Sequence, residues 1–285
     1  MSETTDEFDA AVLVSGWAAI AERKPQRHVH VDWAARTDIG RLREHNEDKF
    51  DFFLPTDPTQ LAMRGRLWAV ADGMGGHAAG QIASEAALKT VVRAFFAAAA
   101  AEDTETALRA ALAEANALIH HAARQFERKA GGMGTTIVVA IVKEDVLTIA
   151  HVGDSRLYLM REGDGLRTLT VDHSWVEEQV RRGAMSREEA ERSPYRNYIL
   201  RSVGVDKVVE PDVTQITVRP GDTFLLCSDG LCGYISDELI ASTLSGKNAS
   251  QAVLDLIDVA NDAGGKDNVT ALVLRVLDVV DFADR

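Results

Sequence analysis

The chain has only two cysteines in 285 residues, Cys227 and Cys232. Their C-x4-C spacing, with no second pair nearby, fits neither a zinc site nor a disulfide framework. They read as two reduced thiols of a cytosolic protein. Positive charge is also scarce: 31 Lys and Arg stand against 44 Asp and Glu, for a formal net charge of -13. That balance argues against nonspecific nucleic-acid binding, which needs a basic surface, and it leaves room for bound cations. Long apolar runs are missing too. The longest are Ala94–Ala101 and Ile137–Val142, whereas a bilayer span needs about 20 residues. The first ten residues, MSETTDEFDA, are acidic, the wrong sign for the basic start of a secretory signal. These absences predict a cytoplasmic protein with neither membrane nor nucleic acid as a partner.

What is present is ordinary for a globular chain: 46% hydrophobic and 26% charged residues. Residues 1–28 read as an N-terminal extension in which AVLVSGWAAIAE could form a short helix. Strands are predicted at His28–Thr37, Lys49–Leu54 and Leu67–Ala71 from alternation and bounding turn residues, with Pro55, Asp57 and Pro58 as a break. Alanine-rich residues from Ser84 to Lys129 predict two helices, the second capped by Thr104 and ended by Gly131 and Gly132. Strands follow at Gly134–Val142, Val146–Val152, Arg156–Arg161 and Leu166–Thr170. A mostly helical insert covers about 174–202, with a capping box at Ser186-x-x-Glu189. Strands at Val213–Val218, Thr223–Ser228 and Asn268–Val276 alternate with helices at Asp237–Leu244 and Ser250–Asp262. Tight turns between neighbouring strands force antiparallel pairing, so the expected architecture is α+β: packed sheets with helices outside. No repeat, low-complexity linker or second core divides the chain.

One stretch, LWAVADGMGGHAAGQIASEAAL at 67–88, invites a nucleotide reading. Gly73-x-Gly75-x-x-Ala78 fits a dinucleotide fingerprint, and Gly75-x4-Gly80 opens like a phosphate loop. The phosphate loop needs Lys-Ser/Thr after its last glycine, and here Gln81-Ile82 follows. The dinucleotide fold needs a second strand ending in an acid about 20 residues on, and Val91–Ala101 is helical and has no acid. Both nucleotide readings fail.

Aspartates supply the better pattern. Asp72 follows LWAVA, Asp154 follows LTIAHVG, Asp229 follows TFLLCS, and Asp267 precedes NVTALVLRV. Each sits at the end of a predicted strand, and Asn46-Glu47-Asp48 lies between the first two strands. A single Asp at a strand end is as readily a turn former or cap. As a set, carboxylates at sheet ends suit hard cations such as Mg²⁺ or Mn²⁺. Glycine after Asp72 leaves a carbonyl approachable as a further ligand. No His/Cys set of zinc type accompanies them. Two such ions activate water and clamp an in-line displacement, which favours phosphoryl transfer to water. Arg43, close before Asn46, is placed as a phosphate fork, although alone it reads more readily as a solvated surface arginine.

These residues carry a resemblance. TDIGRLREHNED (37–48), AVADGMGGHAAGQIAS (69–84), GMGTT (132–136), HVGDSRLY (151–158), LTVDHS (169–174), LLCSDGL (225–231) and GGKDNVT (264–270) occur in the order found in the metal-dependent protein phosphatases. The chain resembles this PPM or type 2C family, and most closely its single-domain bacterial members. The resemblance covers about residues 29–278, leaving 279–285 as a tail. It implies an α-β-β-α sandwich of two antiparallel sheets flanked by helices. It implies hydrolysis of phosphoserine and phosphothreonine by a hydroxide held between two divalent ions, Mn²⁺ or Mg²⁺, without a phosphoenzyme. By position, Asp72 looks like the bridging ligand. Gly73 would offer its carbonyl, Asp229 and Asp267 would complete the second ion, and Asp154 matches the ligand of a third. Glu47 and Asp48 match acids that hold metal-bound waters or ligate directly. Arg43 matches the phosphate-binding arginine, and the insert matches a flap beside the site.

Many eukaryotic members carry a histidine proton donor where this chain has Met74. His77, three residues on, is either a donor or a structural histidine; metal-bound water is the other candidate. The implied partners are phosphorylated proteins, among them Ser/Thr kinases and their substrates, met by a monomer. Two other roles fit the same motifs: a catalytically inactive regulatory module, and a dedicated phosphatase of one anti-sigma-type regulator.

Overall fold

The computed structural model describes residues 27–76, 78–98, 103–126 and 132–281. The helix expected within residues 1–26, the second helix's expected end at Gly131, and His77 lie outside them.

Two five-stranded antiparallel sheets form the centre. One runs β1 (Arg27–Asp38), β12 (Val269–Asp281), β11 (Thr223–Cys227), β8 (Arg156–Arg161) and β9 (Gly165–Thr168) in spatial order. The other runs β10 (Asp212–Thr217), β7 (Val146–Val152), β6 (Ile137–Lys143), β3 (Arg66–Ala71) and β2 (Lys49–Phe53). A small ribbon pairs β4 (Gly73–Met74) with β5 (Gly134–Thr135).

The period-2 pattern of the strands sorts side chains between layers. In β3, Trp68 and Val70 face the inter-sheet core with Val138, Leu157, Phe224 and Leu272. Leu67, Ala69 and Ala71 turn the other way, onto α2 (Ala78–Ala97) and α3 (Thr104–Phe126). In β11, Phe224 and Leu226 face inward while Leu225 and Cys227 meet α7 (Asp237–Leu244) and α8 (Ala249–Asp262). Strands buried on both faces therefore read as near-continuous apolar runs. The result is helices, sheet, sheet, helices: an α-β-β-α sandwich. Each fully buried large side chain in these layers contributes about 1.5–3 kcal/mol.

Several local expectations need correction. The break at Pro55–Pro58 opens a short helix, α1 (Pro58–Arg64), because Pro58 suits the first turn and the Asp57 side chain accepts from the Gln60 N–H. Helix α2 begins at Ala78, before Ser84. The cap of α3 is Asp103, which accepts from the Thr106 N–H at 2.9 Å, and not Thr104, the first helical residue. The predicted strand Gly134–Val142 splits at Thr136 into β5 and β6. The insert holds two short helices, α4 (Trp175–Arg181) and α5 (Arg187–Arg192), joined by turns; α5 has the capping box at Ser186 and Glu189. One turn of helix, α6 (Asp229–Cys232), follows β11. Strand β12 continues to Asp281, past its expected end at Val276.

Candidate metal centre

Strand register brings the aspartates to one end of both sheets. Lys49 pairs with Ala71, so Asp48 and Asp72 leave β2 and β3 side by side. Cys227 pairs with Ala271, so Asp229 and Asp267 flank the same end of β11 and β12. Ile137 pairs with Val152, placing Thr136 beside Gly153 and Asp154. Close backbone approach completes the gathering. A Cβ on Gly230 would lie 1.8 Å from the Asn268 carbonyl oxygen, so only glycine lets α6 meet the start of β12. A Cβ on Gly73 would lie 2.1 Å from the Gly80 carbonyl oxygen, which holds the Asp72–Gly73 backbone against α2.

Hydrogen bonds fix the backbone of this end. The Asp72 N–H donates to Thr136 Oγ1 at 3.1 Å, and Thr135 Oγ1 donates to the Asp72 carbonyl at 2.7 Å. Asn268 ties three segments: its Nδ2 donates to the carbonyls of Ile39 and His45, both at 2.9 Å, and its Oδ1 accepts from the Glu47 N–H at 2.8 Å. Asp48 is fully buried, and its Oδ2 accepts from Ser228 Oγ at 2.6 Å and Thr270 Oγ1 at 2.7 Å. These supporting residues escaped the sequence reading. They sit within the same motifs, next to or a few residues from the aspartates, but a hydroxyl or amide there has no distinguishing spacing.

The electrostatics of the cluster are unfavourable as they stand. Burial, then the charges of Asp229 and Asp267, push Asp48 up to about 7 against the pull of its two hydroxyl donors. Burial and the neighbouring Asp48, Asp229, Asp154 and Asp267 push Asp72 well above the carboxylate range. Burial and Asp267 push Asp229 up to about 6. Asp154 is raised by burial, then by Asp229 and Asp172. Two carboxylate oxygens, Asp48 Oδ1 and Asp154 Oδ1, are buried with no hydrogen-bond partner. Buried acceptors of this kind are rare in native proteins and mark an unmet ligand. All-oxygen donors, mutual repulsion and orphaned oxygens fit a hard divalent cation.

Arg43 lies at the rim. Its Nη2 donates to Asp267 Oδ2 at 2.6 Å, and its guanidinium, half exposed, is held charged by that bond and by the charges of Asp267, Asp72 and Glu47. Glu47 sits against α2, where a Cβ on Gly80 would strike its Oε2 at 1.8 Å.

A second cluster was not foreseen. His151, His173 and Asp212 each bring one potential ligand atom within 4.8 Å of the others, the one such trio among the described residues. Three of its four ring nitrogens are already engaged. His151 Nε2 donates to the Val171 carbonyl at 2.9 Å, and His173 Nδ1 accepts from the Gly153 N–H at 3.0 Å. His173 Nε2 is 3.3 Å from Asp212 Oδ2. The Arg201 guanidinium stands 3.1 Å from that nitrogen and 2.6 Å from Asp212 Oδ1. The two rings stack at 4.6 Å. Burial, His151 and Arg201 lower His173 to about 4, so it is neutral at physiological pH. A guanidinium in the site and three engaged ring nitrogens describe a largely satisfied network beside Asp154.

The family description Protein phosphatase 2C matches residues 43–270. The serine/threonine phosphatase stp of Listeria innocua is 41% identical over 244 residues, spanning 84% of this chain and 94% of that relative. The crystal structure of the Mycobacterium tuberculosis serine/threonine phosphatase PstP/Ppp superposes with a TM-score of 0.76 at 36% identity, covering 88% of this chain and all of that one. The catalytic domain of PstP in complex with two manganese ions superposes with a TM-score of 0.73 at 35% identity, over the same shares.

Proposed function

The chain belongs to the protein phosphatase 2C family and is a serine/threonine phosphatase, and from that premise we propose that the carboxylate cluster at the sheet ends is its catalytic metal centre. The observation that carries this is the pair of orphaned, buried oxygens, Asp48 Oδ1 and Asp154 Oδ1, in a cluster whose acids are already strained by mutual repulsion. Asp72, the Gly73 carbonyl, Asp229 and Asp267 would hold two divalent ions, with Asp48 and Glu47 alongside and Asp154 on a third. Mn²⁺ fits because the PstP catalytic domain is described with two manganese ions; Mg²⁺ suits the same oxygens.

Bound divalent ions supply Lewis acidity, which acidifies water and offsets charge on phosphoryl oxygens. The chain's own residues do the rest. Arg43 is charged and half exposed at the rim beside Asp267, so its fork would bind phosphoryl oxygens there. Asp72, fixed through its N–H and carbonyl by Thr136 and Thr135, presents its carboxylate without reorganisation. Reaction by direct attack of water leaves no covalent phosphoenzyme. The catalytic domain would span 29–278, with 174–202 as its flap. The protein works as a cytoplasmic monomer on phosphorylated proteins, including Ser/Thr kinases. Among the described residues, no helix is long and apolar enough to cross a membrane.

Hydrolysis of p-nitrophenyl phosphate and of a phosphothreonine peptide, with Mn²⁺ and with chelator, is the test. Metal-dependent turnover of both is expected. Turnover unaffected by chelator, or none with any divalent ion, contradicts the assignment.

A further inference from the structure

A groove of about 740 Å³ leads away from the carboxylate cluster, within the size range of ligand-binding clefts, about 300–1,000 Å³. Asp154 and Asp229 line its inner end. One wall is the insert, through α4, α5 and the turn at Arg196–Asn197; the other is the segment from Cys232 into the first turn of α7. Resting on the phosphatase reading above, we propose that this groove receives a basic segment flanking the phosphorylated residue of the protein substrate.

Charge decides the occupant. Three arginines line the groove, and each is engaged. Arg156 makes two bonds to Asp172, at 2.9 and 2.7 Å. Arg187 makes two to Glu177, at 2.5 and 3.1 Å. The Arg196 guanidinium lies 5.8 Å from the centre of the Tyr234 ring, where the π face attracts it. Asp172 and Glu177 are neutralised by these bonds. Glu191, Asp237 and Glu238 also line the groove and have no cationic partner among the described residues. Asp237 and Glu238 sit in the first turn of α7, where acids suit the helix dipole, but that favours their charge and does not cancel it. At the inner end Asp154 and Asp229 belong to the proposed metal centre, where bound cations would offset their charge, so they add nothing to the groove's balance. A substrate lying here meets three acids without an ion-pair partner, on both walls, against one such cation, Arg196, and lysine or arginine beside the phosphoresidue is the complement.

The test uses matched phosphothreonine peptides, one flanked on both sides by arginine and one by glutamate, with the full chain and Mn²⁺. At low salt the basic peptide should show a kcat/KM roughly tenfold higher, the combined effect expected of about three partly exposed ion pairs. A triple variant, E191Q/D237N/E238Q, should lose most of that ratio. Raising salt from about 50 to 500 mM should shrink it in the unmodified chain, a reading available even if the variant fails to fold. Equal rates, a preference for the acidic peptide, or a preference that survives the triple substitution overturns the proposal. Turnover of p-nitrophenyl phosphate separates the two readings. Metal-dependent turnover without peptide preference sinks the groove alone, whereas no turnover of any substrate sinks both.

Discussion

The carboxylates around Asp72 and the histidines His151 and His173 are ionisable clusters on neighbouring strand ends, yet their hydrogen bonds differ. In the histidine cluster three of the four ring nitrogens have a partner, and Arg201 supplies positive charge within it. In the carboxylate cluster two buried oxygens have none, and the acids repel one another. The tighter grouping is the histidine trio. Proximity of ligand atoms is therefore a poorer guide to a metal site than unmet polar groups. A satisfied network holds its geometry without an ion, whereas an unsatisfied one carries a cost that an ion removes.

The largest effect that would sharpen this contrast comes from Asp72→Asn and Asp229→Asn. Each should lower peptide kcat by roughly 10²-fold or more, while the metal-free protein melts at a higher temperature because a repelling charge is gone. Full activity in either variant would break the comparison at its centre.

Metal and pH come next. Asp48 and Asp229 have ordinary values of 3.8 and folded values of about 7 and 6. The folded metal-free chain thus binds protons more tightly than the unfolded one. Their contribution to stability is fully present below about pH 4 and is lost as pH rises through 6 and 7. Divalent ions bind the deprotonated carboxylates, so thermal unfolding should show stabilisation by Mn²⁺ that is larger near pH 8 than near pH 5. At a hundredfold excess over Kd it should reach about 2.7 kcal/mol.

His173→Ala should behave in the opposite sense. It leaves the Gly153 N–H without its acceptor and should cost about 1–3 kcal/mol in denaturant unfolding, with stabilisation by Mn²⁺ retained. Asp212→Asn, at an exposed carboxylate, should cost less than about 1 kcal/mol. Loss of metal-induced stabilisation in either variant would assign an ion to the histidine cluster.

Much of this was legible in the sequence because strands buried on both faces read as apolar runs, and each delivers an aspartate at its end. Asp72 after LWAVA and Asp229 after TFLLCS are placed by the strand that precedes them. What was hidden depended on pairings distant in sequence. Ser228 and Thr270 support Asp48 only because β11 and β12 bring them together. His151 and His173 meet because β7 and the segment after β9 converge, which no local period encodes. The helix at Pro58 was misread because proline breaks a strand and starts a helix with the same residue. The groove's charge was invisible for another reason: composition counts arginines but not which of them are already paired.

The central claim is that divalent ions occupy the carboxylate cluster and not the histidine trio. Crystals of the full chain grown with Mn²⁺, measured at the manganese absorption edge, test it most directly. Anomalous peaks against Asp72, the Gly73 carbonyl, Asp229 and Asp267, with none between His151, His173 and Asp212, are the predicted result. A peak at the histidines, or none at the carboxylates, would contradict it.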